Sequence, residues 1–506
     1  MLEGYVCLVG AGPGDAGLIT RRGLAYLKEA DVVFYDNFIP CQLLLSVKKG
    51  CELVDVGKKG GSPSITQAEI NQMLIREAKK GKFVVRLKGG DPFLLGRGGE
   101  EASAMAEAGV PYLVVPGISS SLAAPAYSGI PVTDRRVTTE VTICSGQRAE
   151  RYGKRPSTRV VLMALANLEA VVRELRDQGY PGNTPACLIS RGTTPFQRVL
   201  RADLDSIVAR AVTEKPLPPA LLVIGEVVAF HERLDWRQYL PLADKRILWT
   251  RPLEKDDAGI PERLELLGAE VLVFPTIETR PLPVEAELFS RIHRFSWIVF
   301  TSATGVDLFF QNLLRAGLDG RALYRSRLAV VGRLTGKALQ QWGLRPDLIA
   351  GGNSQDLLKA LQEEINPGDQ VLLCQAAQAR AILAEGLAGL GIDCKKMVLY
   401  EVVAPSYSAA LVKKIFADPF DLIVFTSPLA AANFWRITAQ AGVSPGETRY
   451  ACLGRETAAQ LEKLGVKPWL VSRRTDCKLL VAEIVRRMGG ARCVSANQIA
   501  PAAPDA

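Results

Sequence analysis

Two glycine turns, each closing an apolar run and opening a helical pattern, restrict what this chain can fold into. Residues 5–9 run into Gly10-Ala11-Gly12-Pro13-Gly14-Asp15, and residues 83–87 run into Lys88-Gly89-Gly90-Asp91-Pro92. A short apolar run bounded by turn residues predicts a buried strand. Helical spacing follows over 20–29 and 67–80, and a further strand is expected over 31–35, ending in Asp36. Strand and helix therefore alternate, which predicts an α/β fold with its special residues in loops at strand ends. The second turn is the denser one, with five glycines within residues 89–99 and Asp91, Arg97 and Glu100 among them. A loop so poor in side chains lets backbone come close to something, and its Asp and Arg suit hydroxyl, ammonium or carboxylate groups. The first turn departs from a dinucleotide fingerprint: the last glycine is misplaced, and Pro13 and Asp15 stand in the turn.

The alternation changes character near 111–131, which is rich in Gly, Pro, Ser and Ala, and resumes with strands expected over 141–144, 160–165, 186–190 and 220–224. That predicts two lobes, about 1–117 and 118–240. The segment 236–246 reads as a junction before a new strand at 246–250. Beyond it lies a degenerate repeat: Trp297-Ile298-Val299-Phe300-Thr301-Ser302 returns as Leu422-Ile423-Val424-Phe425-Thr426-Ser427, offset by 125 positions. Arg327-Leu328-Ala329-Val330-Val331-Gly332-Arg333 returns as Arg449-Tyr450-Ala451-Cys452-Leu453-Gly454-Arg455, offset by 122. Such repetition predicts two similar α/β lobes over 245–490, leaving 491–506 as a disordered tail. A length of 506 residues accommodates this organisation.

Charge and residue counts then exclude whole classes of function. The net charge of +9 is spread evenly: residues 1–240 hold 30 basic and 25 acidic side chains, the remainder 32 and 28. No basic stripe or tail marks a nucleic-acid binder, and the balance suits an anionic small molecule. Only His231 and His293 are histidines, so a histidine-ligated metal and two histidine-based active sites are excluded. The ten cysteines form no CxxC and read as reduced thiols. With no signal-peptide pattern and no long apolar span, a cytoplasmic protein without membrane contact is expected.

Taken in order, GAGPGD, ADVVFYD, VGKK, VRLKGGDPFLLGRGGEE, VPGISS and YSGIPVT resemble the tetrapyrrole methylase family, and within it uroporphyrinogen-III C-methyltransferase. The resemblance spans about 3–235. It implies S-adenosylmethionine as methyl donor, bound between two α/β lobes, and a homodimer formed through this half. It places Pro13, Gly89, Gly90, Asp91, Leu94, Ser119, Ser120, Met163, Gly192 and Ala220 around the donor. Asp36 and Lys58 match positions of a proton acceptor and donor. Arg97, Glu100 and Arg135 match positions that handle substrate carboxylates or the leaving proton. Arginine stays protonated and is a poor base, so Arg97 is expected to clamp substrate and Asp36 to act as acid or base. The chain departs from the family pattern at Ser119-Ser120, Met163-Ala164, Asp134-Arg135 and Cys144-Ser145-Gly146-Gln147.

Residues 246–488 resemble uroporphyrinogen-III synthase, through the repeated FTS strands, the Gly-Arg turns and the strand carrying Tyr400. That family closes hydroxymethylbilane, with inversion of the last ring and no cofactor. Tyr400 matches its functional side chain. Thr301, Ser302, Thr426 and Ser427 stand at strand ends, where they could donate to substrate carboxylates or simply cap helices. The resemblance also implies that the chain crosses between lobes twice, with 246–277 joined to 403–488. Together the halves imply linear and cyclic tetrapyrroles as ligands and a bifunctional enzyme. It makes uroporphyrinogen III and methylates it at C2 and C7 to precorrin-2, for sirohaem or cobalamin. The alternative is a methylase of another corrin intermediate whose C-terminal half only binds tetrapyrrole.

Overall fold

The computed structural model describes residues 4–57, 65–147, 157–252, 259–351, 353–472 and 477–489. The chain builds four sheets. The first combines β1 (Tyr5–Gly10), β2 (Val32–Tyr35), β3 (Glu52–Asp55), β4 (Phe83–Lys88) and β5 (Tyr112–Val115) in the order β3-β2-β4-β1-β5, all parallel. Parallel pairing demands crossover helices, and these cover both faces. Val6, Cys7, Leu8 and Val9 of β1 are fully buried as a consequence. The expected helices form: Arg21–Glu29 is capped by Thr20, and Gln67–Lys79 begins in a reciprocal Thr66–Glu69 capping box.

The second sheet holds β6 (Val141–Ser145), β7 (Thr158–Leu162), β8 (Pro185–Ser190), β9 (Arg198–Asp203) and β10 (Ala220–Ile224), in the order β6-β7-β10-β8-β9. Only β6 and β7 are parallel; the remaining pairs are antiparallel. The strand expected over 160–165 stops at Leu162. Met163 adopts a left-handed φ of 57°, so no strand continues, and a short 3-10 turn follows at Leu165–Asn167.

Next come β11 (Arg246–Trp249) and β12 (Glu270–Val273). Six strands then build the fourth sheet: β13 (Glu278–Pro281), β14 (Trp297–Phe300), β15 (Arg327–Val331), β16 (Leu348–Ala350), β17 (Gln370–Ala376) and β18 (Asp393–Val403). Their order is β13-β18-β17-β14-β15-β16, parallel except for the β13 edge. The chain then returns with β19 (Leu422–Phe425), β20 (Arg449–Leu453) and β21 (Leu470–Ser472), completing the all-parallel third sheet β12-β11-β19-β20-β21. By contacts, Met1–Phe274 with Tyr407–Ala506 forms one compact unit and Pro275–Ser406 another. The expected tail 491–506 lies outside the described residues.

The sequence repeat has a structural meaning. β14 and β19 each pass into a helix, Ala303–Arg315 and Pro428–Gln440; β15 and β20 each pass into Gly332–Gln341 and Gly454–Lys463. Gly332 and Gly454 share a φ of 79°, which a side chain resists. Gly454→Ala should cost roughly 1–2 kcal/mol, read as a lowered midpoint in denaturant unfolding; an unchanged midpoint would refute the strain.

Candidate functional site

Three loops cross at the carboxyl ends of β1, β4 and β5 with hardly a side chain between them. Ala11 donates its N–H to the Lys88 carbonyl at 2.7 Å, and Gly90 donates to the Gly12 carbonyl at 2.7 Å. A Cβ on Gly117 would stand 2.2 Å from the Gly90 carbonyl oxygen, and one on Gly10 only 2.6 Å from Gly117 Cα. Asp91 ties the crossing together: Oδ1 accepts from Phe93 N–H at 2.8 Å and Oδ2 from Gly117 N–H at 3.0 Å.

These loops face the second lobe across a cavity of about 400 Å³, within the usual size of a small-molecule pocket. All ten positions that the resemblance assigned to the methyl donor line it: Pro13, Gly89, Gly90, Asp91, Leu94, Ser119, Ser120, Met163, Gly192 and Ala220. Leu162, Leu165 and Ile189 make its second-lobe wall apolar, and among the described residues Asp91 is the one charged side chain in the lining. The lobes are also joined beside it. Asp15 donates its N–H to Thr193 Oγ1 at 3.1 Å and accepts from the Tyr127 hydroxyl at 2.8 Å. Burial, and then the Asp15 charge, push the Tyr127 phenol well above its ordinary value.

Beneath the glycine loop runs an ion network. Glu101 is fully buried and accepts from Arg86 Nε at 2.9 Å, Lys88 Nζ at 3.0 Å and Gln67 Nε2 at 3.2 Å. Arg86 extends to Asp36, donating Nη2 to Oδ1 at 2.5 Å, while Gly89 N–H donates to Asp36 Oδ2 at 3.3 Å. Burial opposes the Arg86 charge, but Asp36 and Glu101 outweigh it and hold the guanidinium more firmly protonated than usual. Burial and then the Arg86 charge lower the Lys88 ammonium, against the pull of Glu101. Asp36 is thus fixed beside Gly89, although it does not itself line the cavity.

Arg97, Glu100 and Arg135 are not in that lining. Arg97 has a φ of 58° and forms an exposed two-point pair with Glu100, at 2.8 and 2.7 Å. Arg135 is exposed. Lys58 lies outside the described residues. In the 275–406 unit, the buried Tyr400 hydroxyl meets Ser302 Oγ at 2.7 Å, and Ser302 also caps its helix by accepting from Gly305 N–H at 3.0 Å. Burial lifts the Tyr400 phenol above its ordinary value, with the Ser302 bond pulling the other way. Thr301 donates to the Cys374 carbonyl at 3.3 Å. In the other unit, Ser427 caps its helix from 3.2 Å, with Thr426 half-buried beside it. Ser302 and Ser427 thus both accept as helix caps.

The chain matches the family model of tetrapyrrole (corrin/porphyrin) methylases over residues 5–208 and that of uroporphyrinogen-III synthase HemD over 259–482. It is 33% identical over 507 residues to the porphyrin biosynthesis protein HemD of Ruminiclostridium josui, covering 97% of this chain and 99% of that protein. It is 48% identical over 236 residues to the uroporphyrinogen-III C-methyltransferase of Methanocaldococcus jannaschii, covering 45% of this chain and 98% of that protein. Among solved structures, the uroporphyrin-III C-methyl transferase of Thermus thermophilus complexed with S-adenyl homocysteine is 39% identical, with a TM-score of 0.39. That match covers 44% of this chain and 93% of that one.

Sequence reasoning missed Arg86, Lys88 and Glu101. The available signal was two cations at alternate positions in the otherwise apolar run Phe83–Lys88, which places both on one face of a buried strand. Two buried cations need a carboxylate. Glu101→Gln should destabilise the fold by about 3–5 kcal/mol, the range for breaking a buried pair, as measured by urea unfolding. A loss under about 1 kcal/mol, the range of surface pairs, would show that the network is dispensable.

Proposed function

Because the chain belongs to the family of the porphyrin biosynthesis protein HemD, a tetrapyrrole methylase joined to a uroporphyrinogen-III synthase, we propose that the cavity between its first two lobes holds the methyl donor. The protein makes uroporphyrinogen III and methylates it with S-adenosylmethionine toward precorrin-2. One observation carries the placement of the donor: the ten residues named for it by resemblance line a single cavity. The chemistry of the lining agrees. Among the described lining residues, a single carboxylate, Asp91, beside apolar walls and bare glycine backbone suits a cationic ligand.

When bound, the donor supplies an electrophilic sulfonium methyl, so the protein's main task is alignment. Gly89 and Gly90 let backbone approach the donor, and Asp91 and the Ser119-Ser120 turn orient its polar end. Leu162, Leu165 and Ile189 exclude water from its apolar end. Asp36, fixed by Arg86 and the Gly89 N–H, is the group we assign to the departing proton, with Lys58 as its partner. Arg97 and Arg135 are assigned to the substrate carboxylates, and Glu100 to the substrate site as the carboxylate that occupies the Arg97 fork until substrate arrives.

For ring closure, Tyr400 is the assigned functional side chain, a neutral hydroxyl held in place by Ser302. Thr301, Thr426 and Ser427 are assigned to carboxylates of the linear substrate. The methyltransferase occupies 1–240 and the synthase 245–490. A homodimer through the methyltransferase half and a cytoplasmic location complete the reading, and among the described residues no helix is long and apolar enough to cross a membrane.

A coupled assay with hydroxymethylbilane and methyl-labelled S-adenosylmethionine tests the whole reading. The expected product is a doubly methylated type III ring; unmethylated type I product alone would overturn it. Asp91→Ala should weaken S-adenosylhomocysteine binding by about 10-fold or more, the loss of one charge-assisted contact, while ring closure continues. Tyr400→Phe should slow ring closure and leave methylation of added uroporphyrinogen III intact. Wild-type rates in either variant would remove that residue from the site.

A further inference from the structure

The synthase half does not merely follow the methylase half; part of it grips both walls of the methylase cleft. The helix Ala409–Ile415 and the turn after it belong to the third sheet's lobe, within the same compact unit as the first two lobes. From this segment Lys414 Nζ donates to the Asn37 carbonyl at 2.8 Å and lies 5.2 Å over the Tyr35 ring. Asn37 follows Asp36 and precedes Phe38, which lines the cavity. Four residues along the chain, Asp418 Oδ2 accepts from Arg191 Nη2 at 2.6 Å. Arg191 precedes Gly192, another lining residue, and comes from the second lobe. One short segment thus holds a loop of each lobe.

Both contacts are built to be firm. Arg191 has a left-handed φ of 49°, stacks on Phe196 at 4.2 Å and donates its N–H to the Pro219 carbonyl at 2.7 Å. Its loop also carries Thr193, which accepts from the Asp15 N–H of the first lobe. On the synthase side, the buried Arg246 guanidinium at the start of β11 pins the turn. It donates to the Asp418 carbonyl at 2.6 Å and to Glu270 at 2.9 Å, and lies 4.1 Å over Phe420. The methylase helix Cys41–Leu45 packs against β12 beside it, with Gln42 donating to Glu265 at 3.0 Å. The grip therefore connects the loops of the donor cavity to a parallel sheet of the second enzyme.

We propose that Lys414 and Asp418 are positioning residues for methyl transfer, a bracket from the synthase lobe that fixes the spacing of the two loops bearing Phe38 and Gly192. The proposal rests on that cavity being the donor site. Neither residue touches donor or substrate; each acts through a methylase loop. By linkage, whatever binds in the cavity and prefers the gripped spacing must in turn steady the bracket.

The test uses the full-length protein. Lys414→Met and Asp418→Asn should each raise the S-adenosylhomocysteine dissociation constant by about two- to fivefold, the scale of a partly exposed charged contact. The double variant should raise it about tenfold. KM for S-adenosylmethionine should rise in parallel at nearly unchanged kcat, ring closure should keep its rate, and Asp418→Glu should restore binding. In the unaltered protein, S-adenosylhomocysteine should slow amide exchange over 409–420. Wild-type affinity in the double variant, or exchange over 409–420 that ignores the ligand, would overturn the bracket. Absence of any binding by the unaltered protein would instead overturn the donor site, and the bracket with it.

Discussion

A carboxylate shut off from water needs charged or hydrogen-bonding partners, and Glu101 is reached by two cations. It sits in the first turn of the helix Gly98–Glu107, while Arg86 and Lys88 sit on β4. The ion network therefore joins the two ends of the glycine loop directly, and everything between Lys88 and Gly98 is a closed arch. Gln67 brings in a second helix, and Arg86 carries the order on to Asp36. Buried ion pairs contribute little net stability against an apolar replacement of equal shape, but they hold one arrangement against its neighbours. Here the arrangement held is the path of the loop that faces the cavity.

That division explains which features could be read from residues alone. β1, β2 and β4 are apolar runs of four to six residues ending in turns, so periodicity found them. The helix expected over 67–80 was found by spacing alone, and Thr66 and Glu69 cap its start. The end of β7 was not: Leu162, Met163, Ala164 and Leu165 are all apolar, and the break is a single left-handed Met163 imposed by its surroundings. Nor was the role of Arg86, because its partners Asp36 and Glu101 lie 50 and 15 residues away in sequence. Thr-Ser after a strand reads equally well as a cap or a binding pair. Only the bonds of Ser302, one to Gly305 N–H and one to Tyr400, show a side chain engaged both ways.

The glycines show the same contrast. Their density near β4 is visible as a count, but its reason is a crossing of three loops drawn from residues 10–12, 88–91 and 117. Gly117 stands in a different stretch from the two turns that attract notice, yet a side chain there would meet the Gly90 carbonyl at 2.2 Å. Close backbone approach is a property of the fold, and a single sequence records only the residues that permit it.

Electrostatics then separates two ligands of opposite charge. Among the described residues the cavity lining holds one carboxylate, Asp91, and no cation, while Arg86 and Lys88 are committed to Glu101, and Arg97 to Glu100. On the proposed assignment, a cationic donor would meet no like charge among the described lining residues. A polycarboxylate acceptor needs cations, and the proposed assignment gives it Arg97. The Arg97 fork already binds a carboxylate in the exposed pair with Glu100, so on that assignment a substrate carboxylate would replace Glu100 like for like, with no charge stranded out of water. Pre-pairing of this kind keeps an arginine compensated until an anionic group arrives, so a site for such a group need not add an open positive charge to a chain whose net charge is +9.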